Sequence, residues 1–424
     1  MSEQRFEVPG FQASGIASGI KEEGRKDLAL LYSEVPAKAA GVFTTNVFKA
    51  APVLLDMERI KSGSARAVIV NSGNANAATG EEGYQDAVKM ARFCAGALSI
   101  DEAQVLVAST GVIGRRLPID KVAGNVSRLV QGLSPGGIPE AAEAIMTTDR
   151  YPKIQYREGA VGGTDVCICG IAKGAGMIEP GMATLLSFIL SDADIEDAAL
   201  KRALREAVDR SFNAISVDGC MSTNDTVLLL ANGLAGNRRI RTSTRDYAVF
   251  SDMLADAMTE LAKMIVRDGE GATKLIEIVV EGAKTAGDAK TVAYQIARSN
   301  LVKTAFYGGD PNWGRIISAA GAAGVALDPN AVELTFDGVP LFRQGQGIAG
   351  RLQELADRRG AAADSHVQVT GELTGACQRL GVATVRGGRC LAGCGLQHGT
   401  HHGGDFVARS EERRVGKECE VPCR

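Results

Sequence analysis

Residues 173–188 read Lys-Gly-Ala-Gly-Met-Ile-Glu-Pro-Gly-Met-Ala-Thr-Leu-Leu-Ser-Phe. A glycine-rich approach leads to Ala183 and Thr184, and an apolar run typical of a β-strand follows. Glycine lets the backbone approach itself closely and Pro180 fixes a turn, so this segment can strain the peptide bond between Ala183 and Thr184. The order of residues predicts that the chain cleaves itself at this bond. Taken alone, the Ala-Thr pair also fits an ordinary strand that begins after a turn.

Histidine is absent from the first 365 residues, since the four histidines are His366, His398, His401 and His402. A Ser-His-Asp or Cys-His arrangement therefore cannot form within that part of the chain. A threonine can still be a nucleophile when its own α-amine is the base, and such an amine has a pKa of about 7.7–8.0. An N-to-O acyl shift followed by hydrolysis would create that amine, so Thr184 is the predicted nucleophile.

A second polar turn, residues 109–114 with the sequence Ser-Thr-Gly-Val-Ile-Gly, follows a predicted strand. Acyl transfer passes through a tetrahedral oxyanion that requires donors already aimed at it. The hydroxyl of Thr110 and the N–H of Gly111 are candidate donors, although a plain strand-to-helix turn capped by Thr110 is the alternative. Lys173, eleven residues before Thr184, can hold a substrate carboxylate, or it is a solvated loop lysine.

The composition is that of a globular protein without a general attraction to polyanions. The 424 residues, equivalent to two or three domains, are 45% hydrophobic and 23% charged, with a formal net charge of −3. This charge argues against nucleic acid or anionic membrane as a partner. No apolar run approaches the roughly 20 residues of a membrane span, and residues 1–7 lack the order of a signal peptide. We expect a cytoplasmic protein.

Short apolar runs alternate with segments of helical periodicity. The predicted strands are 65–70, 105–108 and 275–280, and the predicted helices are 84–98, 194–210 (with Asp194 as a cap), 247–267 and 288–302. The interleaved order predicts an α/β or α+β fold with layered packing.

Three further segments have polar patterns. Residues 308–315, with the single Trp, predict a structural turn more than a binding loop, and residues 211–225 either line a polar site or satisfy turns. Cys390, Cys394, His398 and His401 are spaced loosely like zinc ligands but match no common pattern. We therefore expect no metal.

Together these motifs resemble the ornithine acetyltransferase family, the bifunctional glutamate N-acetyltransferases. The matching segments, in family order, are 71–76, 109–114, 147–149, 173–188, 216–225 and 309–315. The family's cleavage motif, Lys-Gly-x-Gly-Met-Ile-x-Pro-x-Met-Ala-Thr, is met in full. The resemblance implies an αββα-type sandwich, as in self-processing aminopeptidases.

The same resemblance implies an activity and a site. Thr184 would take acetyl from N2-acetylornithine and pass it to L-glutamate by ping-pong kinetics, with Thr110 and Gly111 as the oxyanion hole. Thr147, Lys173, Thr184 and Glu270 would contact substrate. Cleavage between Ala183 and Thr184 would give an α chain (1–183) and a β chain, with a core at 184–345, which assemble as α2β2. Some members also accept acetyl-CoA, so this co-substrate stays open; no other cofactor is expected.

The C-terminal part, 346–424, departs from the family. Family members have an Asn and a Thr near the terminus that reach the substrate, whereas the last Asn here is Asn330. Beyond about residue 375 the sequence matches no family pattern, and no clear helix or strand pattern is visible after about 385. We interpret this segment as disordered, frame-altered or appended.

Two other functions remain open from the sequence. A self-processing aminopeptidase or amidase would also use Thr184 but would transfer the acyl group to water. A family member inactivated by its altered C-terminus would keep the fold without the chemistry.

Overall fold

The computed structural model describes residues 6–22, 24–179, 185–351, 365–371 and 376–386. The strands in chain order are β1 Phe11–Ile16, β2 Leu28–Phe43, β3 Ser64–Asn74, β4 Val105–Val112, β5 Lys153–Val161, β6 Thr164–Lys173, β7 Leu186–Ser191, β8 Thr226–Ala231, β9 Ala272–Ala283, β10 Val332–Phe336, β11 Val339–Arg343, β12 Gln346–Gly347, β13 Ser365–Gly371 and β14 Ala376–Arg386. The helices are α1 Ala51–Arg59, α2 Gly80–Leu98, α3 Ile119–Gln131, α4 Ile138–Ala144, α5 Asp197–Arg210, α6 Arg245–Arg267, α7 Ala286–Arg298, α8 Asn300–Tyr307 and α9 Trp313–Gly321.

The larger sheet has the strand order β4-β3-β2-β8-β7-β6-β5, and β1 pairs with β2. Strand β2 belongs to both halves of this sheet, because its first part pairs with β3 and its last part with β8. The register shifts between Tyr32 and Ala37, and Pro36 lies in that irregular stretch, where its missing N–H breaks no ladder bond. The bend lets the two halves of the sheet pack face to face.

Alternating side chains build the core between these two halves. Val68 and Val70 of β3 point into the same core cluster as Phe188 of β7 and Leu228 of β8. The intervening residues of each strand point to the opposite face, as the two-residue period of a strand requires. The result is two β layers that bury their inner faces against each other.

Helices cover both outer faces of the sandwich. Helices α1, α2 and α3 pack over β3 and β4 through a cluster that includes Ile69, Met90 and Val107. Helices α5 and α6 pack over β6, β7 and β8 through Leu204, Phe250 and their neighbours. The predicted layered α/β fold and its αββα order are therefore confirmed.

A second sheet, in the order β12-β11-β10-β13-β9-β14, is covered by α7, α8 and α9. Within it β9 runs parallel to β13 and antiparallel to β14. Phe306 of α8 stacks on Phe336 of β10 with ring centroids 5.1 Å apart. This unit begins directly after Glu270, so it continues the chain from the proposed site.

Most predicted elements are present, and two predictions were wrong. The helix expected over 288–302 is two helices, because Ser299 leaves the helical conformation and its side chain caps α8. Asp194 does not cap α5, which begins three residues later; its carboxylate instead pairs with Lys38 and Arg239. Within the described residues, no helix is long and apolar enough to span a bilayer.

Candidate active site

The proposed cleavage bond, between Ala183 and Thr184, lies outside the described residues, but both of its flanks are described. On the C-terminal side, the N–H of Leu185 donates to Oδ1 of Asp225 at 3.0 Å. Strand β7 then begins at Leu186 and pairs with β6 and β8 in the middle of the sheet. Leu185, the first described residue after the proposed bond, is thus held beside the buried carboxyl group of Asp225.

Thr110 and Gly111 lie where the parallel strands β3 and β4 end side by side. Gly111 has φ +137°, and a Cβ atom there would lie 2.7 Å from the carbonyl oxygen of Gly73 and closer still to the carbon and nitrogen of the same Gly73–Asn74 peptide group. Glycine is therefore required at 111 for the close approach of the two strands. Thr110 is buried, with 6% of its surface exposed.

The asparagine-rich segment after β3 holds this turn in place. Oγ of Ser109 donates to Oδ1 of Asn71 at 2.6 Å, and Nδ2 of Asn71 donates to the carbonyl of Asn74 at 2.8 Å. From the other half of the sheet, Nδ2 of Asn224 donates to the carbonyls of Ser109 and Ala75 at 2.8 and 2.6 Å. These hydrogen bonds hold the backbone next to Thr110 in place.

Lys173, at the end of β6, is buried and donates from Nζ to Oγ1 of Thr110 at 3.2 Å. Burial lowers the pKa of Lys173, and the nearby carboxylates of Asp149, Asp225 and Glu270 oppose that effect. The structure thus brings Lys173 and Thr110 together, and it excludes a solvated loop lysine.

Asp149 connects the segment that contains Thr147 to the start of the cleavage loop. Its Oδ2 accepts from the N–H of Thr147 at 2.9 Å, and its Oδ1 accepts from the N–H of Gly174 at 2.7 Å. Burial opposes ionisation of Asp149, but Lys173 and Lys153 outweigh it and hold the pKa of this carboxyl well below its usual range. Asp149 is therefore a buried anion beside the proposed site.

Glu270 approaches from the turn after α6. Its Oε1 accepts from Oγ1 of Thr148 at 2.8 Å, and its backbone N–H donates to the carbonyl of Ala175 at 2.7 Å. A Cβ atom on Gly176 would lie 2.7 Å from the carboxyl group of Glu270, so a side chain at 176 would displace that carboxyl group. Glu270 and the residues next to Thr147 thus meet at one loop.

That loop, residues 174–179, has an uncommon backbone conformation. Met177 has φ +61°, which is costly for a side chain of its size. The conformation is held because the N–H groups of Met177 and Ile178 both donate to the carboxylate of Asp218, at 2.6 and 2.9 Å. The segment that leads to the proposed cleavage point is therefore fixed in a strained turn.

Burial also distinguishes Asp225 from an ordinary carboxylate. Burial raises the pKa of Asp225 well above its usual range, although the Leu185 N–H and the charge of Lys173 oppose that shift. Burial therefore favours the neutral form of this carboxyl group. Sequence reasoning did not single out Asp149, Asp225 or Asn224. The available signal was their position among hydroxyl residues, in Thr147-Thr-Asp149 and in Ser222-Thr-Asn-Asp-Thr226.

The loop at 308–315 is built into the second sheet's helical layer. Oδ1 of Asn312 caps α9, Trp313 packs on Phe342 with ring centroids 5.5 Å apart, and Arg315 donates to the carbonyl of Leu301. These contacts favour the structural interpretation, although the loop also borders a cleft of about 460 Å³. The Cys and His residues considered for zinc all lie outside the described residues.

Known proteins of one family match most of this chain. The sequence model of the ArgJ family matches residues 12–384, so the match continues past residue 375 and ends within β14. The arginine biosynthesis bifunctional protein ArgJ of Geobacter sulfurreducens is 51% identical over 343 residues, which cover 81% of this chain and 87% of the relative. The protein of the same name from Symbiobacterium thermophilum is 52% identical over 342 residues, which cover 80% and 85%.

A solved structure of ornithine acetyltransferase complexed with ornithine, from Mycobacterium tuberculosis, is 40% identical to the matched part. It covers 43% of this chain and 97% of its own chain, with a TM-score of 0.38. The family match and the two relatives confirm the resemblance found from the motifs: the chain belongs to the ArgJ family.

Proposed function

We propose that this protein is a bifunctional acetyltransferase of arginine biosynthesis that moves acetyl from N2-acetylornithine to L-glutamate. The observation that carries the proposal is the 51% identity with an ArgJ relative over 87% of that relative's length. The convergence of Thr110, Lys173 and Glu270 around the loop 174–179 supports a site of this kind.

Self-cleavage would generate the nucleophile. Oγ of Thr184 attacks the carbonyl carbon of Ala183, the bond from that carbon to the Thr184 nitrogen breaks, and the nitrogen takes the hydroxyl proton. Water then hydrolyses the resulting ester and leaves a free α-amine and a free hydroxyl on Thr184. The strained turn at Met177 and the hydrogen bond that the Leu185 N–H donates to Asp225 support this proposal, because they fix both flanks of the segment.

Acetyl transfer would follow in two halves. The Thr184 α-amine takes the Oγ proton as Oγ attacks the acetyl carbonyl carbon; the carbon–nitrogen bond then breaks and ornithine leaves with that proton on its amine. The amine of glutamate next attacks the acetyl-threonine ester and loses a proton to the α-amine, which returns it to Oγ as the bond between the acetyl carbon and Oγ breaks. Each half passes through an oxyanion, for which Gly111 N–H and the Thr110 hydroxyl are the proposed donors.

Lys173 would strengthen one of these donors. Since Oγ1 of Thr110 already accepts a bond from the Lys173 ammonium, its own hydrogen is directed to another acceptor. A hydroxyl that accepts from a cation is polarised and becomes a better donor to a developing oxyanion. The same ammonium can attract the substrate α-carboxylate, while Glu270 can attract an amino group; Thr147 is the remaining proposed substrate contact.

The remaining parts of the proposal rest on the family resemblance. Residues 1–183 would form the α chain and the rest the β chain, with assembly as α2β2 in the cytoplasm. Acetyl-CoA is proposed as an alternative acetyl donor, with no cofactor besides it.

The test is a transfer assay with N2-acetylornithine that is isotopically labelled in the acetyl group. We expect labelled N-acetylglutamate and ornithine in equal amounts, no product from Thr184→Ala, and retained product from Thr184→Ser, which keeps a nucleophile. Labelled acetate that forms equally well without glutamate would support the amidase alternative. Absence of any acetyl product from cleaved protein would refute the proposed function.

A further inference from the structure

A fully buried lysine lies between the two sides of the proposed site. Lys153, the first residue of β5, has 0% exposure. Its Nζ donates to Oδ1 of Asp149 at 2.7 Å and to Oδ2 of Asp268 at 2.6 Å, and both carboxylates are fully buried. A buried ammonium is costly unless it is paired in this way, so the residue has a defined role in the fold or the site.

Each of its two partners is attached to a different side of the site. Asp149 receives the N–H of Thr147 and the N–H of Gly174, the residue after Lys173. Asp268 lies two residues before Glu270, at the end of α6. Lys153 therefore joins the segment that bears Thr147 to the turn that bears Glu270.

After the proposed cleavage, the contact between Lys153 and Asp268 would join two separate chains. Asp149 and Lys153 precede residue 183, whereas Asp268 follows it. After cleavage no covalent bond would link them at that place, so the distance between the two sides would depend on non-covalent contacts. The ammonium of Lys153 bridges them through two fully buried ion pairs, and Arg150 adds a more exposed ion pair to Asp268.

Lys153 also competes with Lys173 for the charge of Asp149. The charge of Asp149 raises the pKa of Lys173, whereas the charge of Lys153 lowers it. With Lys153 present, Asp149 has two cations beside it. Without Lys153, the ammonium of Lys173 would be its main buried partner, because a buried charge pairs with whatever opposite charge remains.

We propose that Lys153 is a positioning residue for acetyl transfer: it fixes Asp149 to Asp268 and thereby leaves the ammonium of Lys173 available to the substrate carboxylate. This inference rests on the proposed function. It differs from a purely structural role, since it predicts a specific loss of substrate binding in protein that is folded and cleaved.

The experiment compares Lys153→Met with Arg150→Met. Arg150 donates to the same Asp268, at 2.8 Å, but its side chain is 62% exposed and it does not bond Asp149. Both substrates have an α-carboxylate, so Lys153→Met should raise KM for each about tenfold, as expected when one charge-assisted contact weakens, with a smaller fall in kcat. Arg150→Met should keep both KM values near those of the wild type.

Wild-type KM values in folded, cleaved Lys153→Met would overturn the inference while leaving the proposed function intact. If that variant does not fold, Asp268→Asn takes its place: it keeps the shape of the partner and removes its charge, and it should raise KM in the same direction. Unchanged KM in Asp268→Asn would also overturn the inference. If wild-type protein transfers no acetyl, the proposed function fails separately. The role of Lys153 is then tested by calorimetry, where the dissociation constant for ornithine should be about tenfold higher in the variant than in the wild type.

Discussion

Replacing Gly111 by alanine should separate the two strands at the proposed oxyanion hole. The added methyl group would lie 2.7 Å from the Gly73 carbonyl oxygen, and closer to the carbon and to the nitrogen of Asn74. Because all three atoms belong to the backbone of β3, no side-chain rotation relieves the overlap. Ordinary contact distances are about 3.5–4.0 Å, so the strands must move apart by roughly 1 Å.

This displacement acts on the N–H of residue 111 itself. A misplacement of about 1 Å in a positioned group can cost about 10²-fold in rate, and loss of one oxyanion donor costs about 10²–10³-fold. We therefore expect kcat for acetyl transfer to fall by at least about 10²-fold in Gly111→Ala. KM should change much less, because the oxyanion forms only in the transition state.

The matched control is Gly114→Ala, in the same turn. Gly114 also has a positive φ, +79°, but a Cβ atom there would meet nothing within 4 Å. This variant should lose about 1 kcal/mol of stability through backbone strain and keep its kcat. Steady-state kinetics and thermal unfolding are measured on both variants. A Gly111→Ala protein with wild-type kcat would refute the assignment of Gly111 to the oxyanion hole.

Three further predictions concern Lys173 and Asp225. Lys173→Met should lower kcat/KM for N2-acetylornithine by about 10²-fold, because it removes a cation from both Thr110 and the substrate carboxylate; an unchanged value would contradict that role. In the wild type, kcat/KM should rise with the deprotonation of the Thr184 α-amine, near pH 7.7–8.0 for an ordinary amine, and should fall as pH passes the lowered pKa of Lys173. Lys173→Arg should lack the alkaline fall, since a guanidinium stays charged, and a persistent fall would assign it to another group. Asp225→Asn keeps an acceptor for the Leu185 N–H but cannot ionise. Because the pKa of Asp225 is raised in the folded state, the wild type should lose stability as pH rises above about 4, by up to about 1.4 kcal/mol per pH unit. The stability of the variant relative to the wild type should therefore increase with pH, and urea unfolding at several pH values checks this.

The sequence indicated candidate residues of the site, but it did not indicate the residues that hold them in position. The Ser-Thr-Gly turn after a strand indicated Thr110 and Gly111, because strand ends and glycine turns have local signals. The contact of Gly111 with Gly73 has no such signal, since it joins residues that are distant along the chain. The role of β2 in both halves of the sheet is likewise set by tertiary packing.

Charged residues explain the other omissions. A lysine after Tyr-Pro is expected in solvent, because lysine is almost never fully buried unless it is paired, and the pairing of Lys153 with Asp149 and Asp268 depends on the fold. The break at Ser299 was missed because apolar periodicity continues through it into α8. Thr147 and Glu270 were identified by the family resemblance alone, and the structure adds the contacts that surround them.

The most direct measurement is the intact mass of the purified protein, with N-terminal sequencing of each chain. We predict two chains, the second beginning Thr-Leu-Leu-Ser-Phe, and a single uncut chain in Thr184→Ala. An uncut wild-type chain that nevertheless transfers acetyl to glutamate would contradict the central claim, because Thr184 would then have no α-amine to serve as its base.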